Sequence, residues 1–136
     1  MENKIDLETA GLEFDRFAEL MDLEVDPATM DAEDLKGFND QKRKLVKAIA
    51  RGALVINAKG EPVYTCQRDD GEPLTLTFRE PRGASFMAMD RKKKGEDMGK
   101  TYAIMGDMCK VAPVTFANMP QRDLKICTAI MVLFLG

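Results

Sequence analysis

Few residues of this 136-residue chain are of the types that carry out acid–base, nucleophilic or metal chemistry. The chain has no histidine, which removes the usual general base near neutral pH, the Cys–His and Ser–His pairs, and most transition-metal sites. Its three cysteines, Cys66, Cys109 and Cys127, lack the CxxC spacing of a zinc site, so we expect each to be a small apolar core residue. The sequence therefore favours a protein without enzymatic activity, bound metal or cofactor.

Two charged clusters remain as candidates for binding ions or nucleic acid. Asp69-Asp70 stands beside Gly71 in a turn sequence and lacks the alternate-position acids of a calcium loop. The basic run 91–94 has little aromatic interleaving around it, and the chain has no GxxxxGK[ST] phosphate loop. We expect both clusters to be solvated turns or loops, and a nucleic-acid-binding regulator is kept only as a minor alternative.

The charge is segregated along the chain. Residues 1–34 hold 12 acidic and 2 basic side chains, a net of −10, whereas residues 35–136 carry a net of +7. This asymmetry predicts an acidic, partly helical N-terminal arm in 1–34 and a single globular domain in 35–136. We expect the arm either to fold over the basic body and compete with a partner or simply to keep the chain soluble. In the first case, deleting the arm would tighten partner binding.

A cytoplasmic location is expected from the hydrophobic pattern. The longest apolar run, 129–135, is far shorter than the roughly 20 residues of a membrane span. The acidic opening of the sequence does not resemble a secretory signal. We therefore expect a protein of the cytoplasm with no membrane contact.

Helical periodicity dominates the first 50 residues. Residues up to Ala10 are expected to be disordered, and an apolar stripe predicts a first helix over 12–23, which ends before Pro27. A second helix is expected to begin after the N-cap Asp31 and to end before Gly52. The stripe on the first helix consists of Leu12, Phe14, Phe17, Leu20 and Met21.

The pattern then changes to that of strands and back to that of helices. Three β-rich runs, 53–57, 62–66 and 74–78, are separated by turn sequences and predict a three-stranded antiparallel meander. Three helices are expected after it, over about 83–91, about 97–110 and from Pro120 onward. The predicted fold is thus α+β, with N-terminal helices, the meander, and then a C-terminal group of about three helices.

The C-terminal helices are unusually rich in methionine and other apolar residues. The last helix is apolar on almost every face after Ile126, so the fold or a partner must cover it. Flexible methionine side chains suit irregular protein partners, although they also fill gaps in small cores. Seven of the 10 methionines belong to this part of the chain: Met87, Met89, Met98, Met105, Met108, Met119 and Met131.

The segment 76–83, with the sequence Leu-Thr-Phe-Arg-Glu-Pro-Arg-Gly, carries a family resemblance. It is similar to the strand and R-E-P-T-G motif that open the helical part of the phage tail assembly chaperones of contractile and related long-tailed phages. Ala-Met-Asp at 88–90, a variable loop, and a last helix around Asp123-Leu124 follow in the family's order. Roughly the last 60 to 85 residues are covered; at 109–111, Cys-Lys-Val stands where the family has a glycine turn.

The resemblance implies a function in the cytoplasm of a phage-infected or prophage-carrying host. Such a chaperone binds the long, largely helical tape measure protein and keeps it soluble until tail tube protein polymerises around it. Self-association is implied as well, together with a possible contact to tail tube protein and, in some members, a frameshifted longer form. The main alternative is a structural protein that remains in the virion tail.

A partner-binding surface is expected on the C-terminal helices. The methionine excess and the apolar last helix indicate that these helices present apolar side chains to apolar helix faces of the client. The residues expected to do so are Phe86, Met87, Met98, Tyr102, Met105 and Ile130.

Overall fold

The computed structural model describes residues 3–23, 26–66, 71–90 and 97–135. Its helices are α1 (Leu7–Leu20), α2 (Ala32–Ala50), α3 (Gly83–Asp90), α4 (Asp97–Cys109), α5 (Val114–Ala117) and α6 (Gln121–Leu135), with a short 3-10 turn at Pro27–Thr29. Its strands are β1 (Leu54–Ile56), β2 (Pro62–Cys66) and β3 (Leu74–Thr77), in one antiparallel sheet of order β1-β2-β3. The predicted α+β architecture is confirmed.

The first helix begins five residues earlier than its apolar stripe predicts. The Oδ1 atom of Asp6 accepts a hydrogen bond from the backbone N–H of Thr9 at 2.7 Å, which caps the helix and holds the pKa of this carboxyl below its usual value. The N–H groups of Lys4 and Ile5 both donate to the carbonyl oxygen of Ala50, at 2.8 and 3.1 Å. The expectation of a disordered lead is therefore wrong for this segment, because a local cap and two backbone bonds hold it.

The inner face of α1 belongs to the hydrophobic core. Phe14 and Phe17 are each 1% exposed, and their rings meet Phe38 of α2 at 6.1 Å and Phe134 of α6 at 5.5 Å between centroids. Leu12 and Leu20, expected on the same stripe, are 64% and 52% exposed. Removing residues 1–34 would thus also remove two core aromatic rings.

Both predicted ends of α2 are confirmed. The Oδ1 atom of Asp31 accepts from the backbone N–H of Asp34 at 2.8 Å, as expected for an N-cap. After Ala50 the chain turns at Gly52, whose φ of +85° is a left-handed conformation that glycine adopts without strain. This turn brings the chain directly into β1.

The sheet buries alternate residues against the helices. Tyr64 in the central strand pairs with Leu54 of β1 and Leu76 of β3, and all three side chains are buried. The Arg16 guanidinium of α1 donates to the carbonyl oxygens of Ile56 and Asn57, at 2.6 and 3.0 Å, at the end of β1. The first helix is thereby tied to the sheet by charge-assisted hydrogen bonds as well as by packing.

The last helix is covered by the fold itself. It packs against α2, α4 and β2, and its largest exposed apolar side chains are Val132 and Leu135, each 40% exposed. The four-residue α5, too short for a periodic signal, was not predicted; it places Phe116 in the core with no exposed surface. Within the described ranges no helix combines the length and apolarity needed to cross a membrane.

All three cysteines lie in this core, as expected, with Cys66 at 3%, Cys109 at 7% and Cys127 at 0% exposure.

We expect Phe17→Ala to lower the free energy of unfolding by about 3–5 kcal/mol, because it leaves a cavity between α1 and α6. Urea denaturation followed by circular dichroism measures this change. The matched control is Leu12→Ala on the exposed face of the same helix, which we expect to change stability by less than about 0.5 kcal/mol. A similarly small effect of Phe17→Ala would show that α1 does not unfold together with the rest of the chain.

Candidate functional site

The helices α3 and α4 form a hairpin at the side of the molecule. Among the described elements, α3 packs substantially only on α4, whereas α4 also contacts β3, α5 and α6. The backbone N–H of Arg79 donates to the carbonyl oxygen of Met108 at 3.2 Å, joining the end of β3 to the end of α4. One helix of the hairpin is therefore anchored in the core, and the other rests on it.

A partly buried polar contact holds the two helices together. The Oγ atom of Ser85, which is 2% exposed, donates to the Oδ2 atom of Asp107 and accepts from the backbone N–H of Arg82. A serine at this place satisfies both polar neighbours, so the contact fixes the start of α3 against the last turn of α4. The apolar sequence of α3 gave no sign of this contact.

The end of α4 requires a glycine and a left-handed residue. A Cβ atom on Gly106 would lie 2.7 Å from the carbonyl oxygen of Val111, where the chain folds back over the helix. Lys110 adopts φ = +56°, a conformation that disfavours residues with a side chain by about 1–2 kcal/mol. The helix therefore ends at a left-handed residue here, although a lysine stands at that position.

The hairpin exposes three large apolar side chains. Phe86 and Met87 on α3 are 42% and 61% exposed, and Met98 in the first turn of α4 is 57% exposed. We call these three residues the hairpin surface. An aromatic ring and two flexible thioether chains, on a helix pair whose outer helix packs on one neighbour, are suited to contact an apolar partner of variable shape.

The six expected partner-binding residues differ in their exposure. Tyr102 is partly buried, and its ring stacks on that of Phe116 with centroids 6.5 Å apart. Met105 and Ile130 have no exposed surface and face the core. The prediction that these two residues belong to the binding surface is therefore wrong. Helical spacing identifies a common face but does not say whether that face meets solvent or the core. Phe86, Met87 and Met98 remain available to a partner.

A buried carboxylate links the sheet to the last helix. Asp123, in the first turn of α6, is 5% exposed, and its Oδ1 atom accepts a hydrogen bond of 2.6 Å from the Tyr64 hydroxyl. Burial and this bond raise the pKa of Tyr64, so the phenol stays protonated and donates. Sequence analysis did not identify this pair, because the two residues are far apart along the chain and neither belongs to a motif.

The second oxygen of this carboxylate is unsatisfied. Oδ2 of Asp123 is buried and has no hydrogen-bond partner among the residues that the structure describes. An unpaired polar group of this kind destabilises a fold by about 1–3 kcal/mol. Such an exception in a well-packed core calls for a structural or functional explanation.

A cleft of about 690 Å³ lies beside this carboxylate. Its lining includes Asp123, Tyr64 and three basic side chains, and we call it the basic cleft. Leu7 and Ala53 supply apolar wall, and Asn3 and Thr65 further polar atoms. The basic side chains come from the last turn of α2, the residue after it and the first turn of α6: Lys47, Arg51 and Arg122.

The described ranges contain no group of three or more metal-ligating side chains that could hold an ion. The clusters Asp69-Asp70 and 91–94, weighed above for ion and phosphate binding, lie outside the described residues.

Two of the core thiols, those of Cys109 and Cys127, are poor nucleophiles. Burial raises the pKa of Cys109 to about 12, an effect that the nearby Arg79 opposes, and burial also raises the pKa of Cys127. The Cys127 thiol donates to the sulfur of Met119 at 3.7 Å. These groups stay protonated at neutral pH and act as packing residues.

We expect Tyr64→Phe to lower the free energy of unfolding by about 1–3 kcal/mol, because both carboxylate oxygens of Asp123 then lack a donor. Chemical denaturation measures the loss, with Thr65→Val on the same strand as the control. Combining Tyr64→Phe with Asp123→Leu should cost less than the sum of the two single changes. Strict additivity in this double-mutant cycle would contradict the coupling.

Stability should fall with rising pH between about 9 and 12. In this window the Cys109 thiol ionises in the unfolded chain but not in the folded one, so the contribution present below pH 9 is lost as the pH rises. The loss is at most about 1.4 kcal/mol per pH unit for each such thiol. Urea denaturation of the native chain and of Cys109→Ala across this range should give a shallower slope for the variant. Parallel slopes would contradict this assignment.

Comparison of the chain with protein-family models, with curated proteins and with solved structures finds no match in any of the three.

Proposed function

We propose that this chain is a phage or prophage tail assembly chaperone that binds the tape measure protein and keeps it soluble during tail assembly. The observation that carries the proposal is the hairpin surface, where Phe86, Met87 and Met98 are exposed on a helix pair of which only α4 is anchored in the core. The family resemblance supports it as well, because segment 76–83 runs from the end of β3 to the start of α3, next to this surface.

The size of the surface favours weak, repeated binding. Fully burying a methionine or phenylalanine side chain contributes about 1.5–3 kcal/mol, and these three are already partly covered. The loss of translational and rotational freedom on association, about 4–15 kcal/mol, offsets most of this gain. A single copy would thus bind a client helix loosely, and several copies along one long client, or a self-associated chaperone, would bind through avidity.

Weak individual contacts also suit the removal of the chaperone. A protein that covers apolar helix faces until the tail tube assembles must yield to the tube subunits. Contacts of a few kcal/mol exchange quickly, since differences in affinity lie mostly in the dissociation rate. The proposed site of action is the host cytoplasm, where the client is synthesised.

The double variant Met87→Glu and Met98→Glu should weaken client binding at least about tenfold, because two charges would be buried at the interface. Co-expression with the tape measure protein, followed by co-purification and a solubility assay, measures the effect. The matched control is Val55→Glu: Val55 is 55% exposed but lies on β1, away from the hairpin. A folded double variant that still solubilises the client would exclude the hairpin surface.

Mass spectrometry of purified virions distinguishes the chaperone function from the main alternative, a structural component of the tail. A chaperone that leaves during assembly should be absent from the particles or far below stoichiometric amounts. Its presence at the copy number of a tail protein would favour the structural role and contradict the chaperone proposal.

A further inference from the structure

The basic side chains of the basic cleft form no ion pair with the rest of the described chain. Lys47 and Arg122 are exposed and Arg51 is half-buried, and all three line the same cleft. The ion pairs of the described residues join Arg16 to Glu13, Lys42 to Asp15 and Arg43 to Asp40, and include none of these three cations. Within the part of the chain that the structure describes, the cleft therefore presents three cations that form no ion pair, together with the single carboxylate of Asp123.

Asp123, which lines the same cleft, presents the opposite chemistry. Asp123 is 95% buried, and Tyr64 occupies its Oδ1 atom as a donor. Its Oδ2 atom is buried and has no donor from the described residues, and Asp123 is among the residues that line the cleft. A buried carboxylate oxygen in this position is satisfied best by an O–H or N–H group that arrives from the cleft.

We propose that the basic cleft binds a phosphorylated small molecule that also carries a hydroxyl or amino group. The phosphate lies between Arg51, Arg122 and Lys47, because two guanidinium groups and an ammonium match the charge and geometry of phosphate oxygens. The hydroxyl or amino group donates to Oδ2 of Asp123. A volume of about 690 Å³ suits a sugar phosphate or a mononucleotide.

This site is separate from the hairpin surface. Its residues belong to α1, α2, β2, α6 and the segments next to them, and none lies on α3 or α4. The inference does not rest on the proposed function, and either one can fail without the other.

Titration of the full chain with three probes tests the proposal: ribose 5-phosphate, inorganic phosphate and ribose, followed by calorimetry and by amide chemical shifts. Ribose 5-phosphate should bind about tenfold more tightly than inorganic phosphate, through the added hydrogen bond, and ribose should not bind measurably. No binding of ribose 5-phosphate at millimolar concentration would overturn the proposal. Equal binding of both phosphates would overturn the role of Asp123.

Substitutions then locate the site. Arg51→Gln and Arg122→Gln should each weaken ribose 5-phosphate binding about tenfold, since each removes a charge-assisted contact. The matched control is Arg43→Gln: its guanidinium contacts Asp40 on the surface of α2, outside the cleft, so binding should not change. If all three variants bound alike, the anion site would lie elsewhere.

In Asp123→Asn the amide oxygen can keep the hydrogen bond from Tyr64 while an NH2 donor replaces the acceptor Oδ2. This variant should lose the preference for ribose 5-phosphate over inorganic phosphate while still binding phosphate. A preserved preference in the folded variant would contradict the assignment of Oδ2. Should this core variant fail to fold, the two arginine variants still decide the anion site, because their side chains are not part of the core.

Discussion

The hydrogen bond between Tyr64 and Asp123 fixes how the last helix lies on the sheet, and the other layers are arranged around that contact. A three-stranded sheet is stable only when something covers one face, and Tyr64 in the central strand pairs with both neighbours while its hydroxyl reaches α6. The helix then meets α2 on one flank and α4 on another. One short polar contact thus orients an otherwise apolar interface, which apolar packing alone specifies less sharply.

The support of α3 explains why the hairpin surface is suited to contact a protein partner. Most of the large apolar side chains of α4 and α6 are committed to the core, whereas α3 rests on α4 and is held by Ser85 and Asp107. Elements that contribute little to the core open more readily than the rest, and protein-binding surfaces are often drawn from them. The hairpin surface is therefore placed where adjustment to a partner disturbs the core least.

Much of the fold could be predicted because local signals agreed with the tertiary structure. Asp31 caps the start of α2 and Gly52 follows its end, as capping preferences predict. The alternating pattern of the strands predicted the meander. Which sides of the helices are exposed could not be predicted. Met105 and Ile130 lie on helix faces that are buried because elements distant along the chain pack against them. The basic cleft was missed for the same reason, because α2, β2 and α6 contribute to it from distant parts of the chain.

The ring contact between Phe17 and Phe134 can form only late in synthesis of the chain. The two rings lie 5.5 Å apart between centroids, yet one belongs to α1 and the other to α6. At about 5–20 residues per second, the ribosome adds Phe134 several seconds after Phe17. During that interval the apolar face of α1 has only part of its final neighbours. A nascent chain therefore lacks the Phe134 contact of Phe17 until α6 emerges, and for that interval it carries an incompletely covered apolar helix, as the proposed client does.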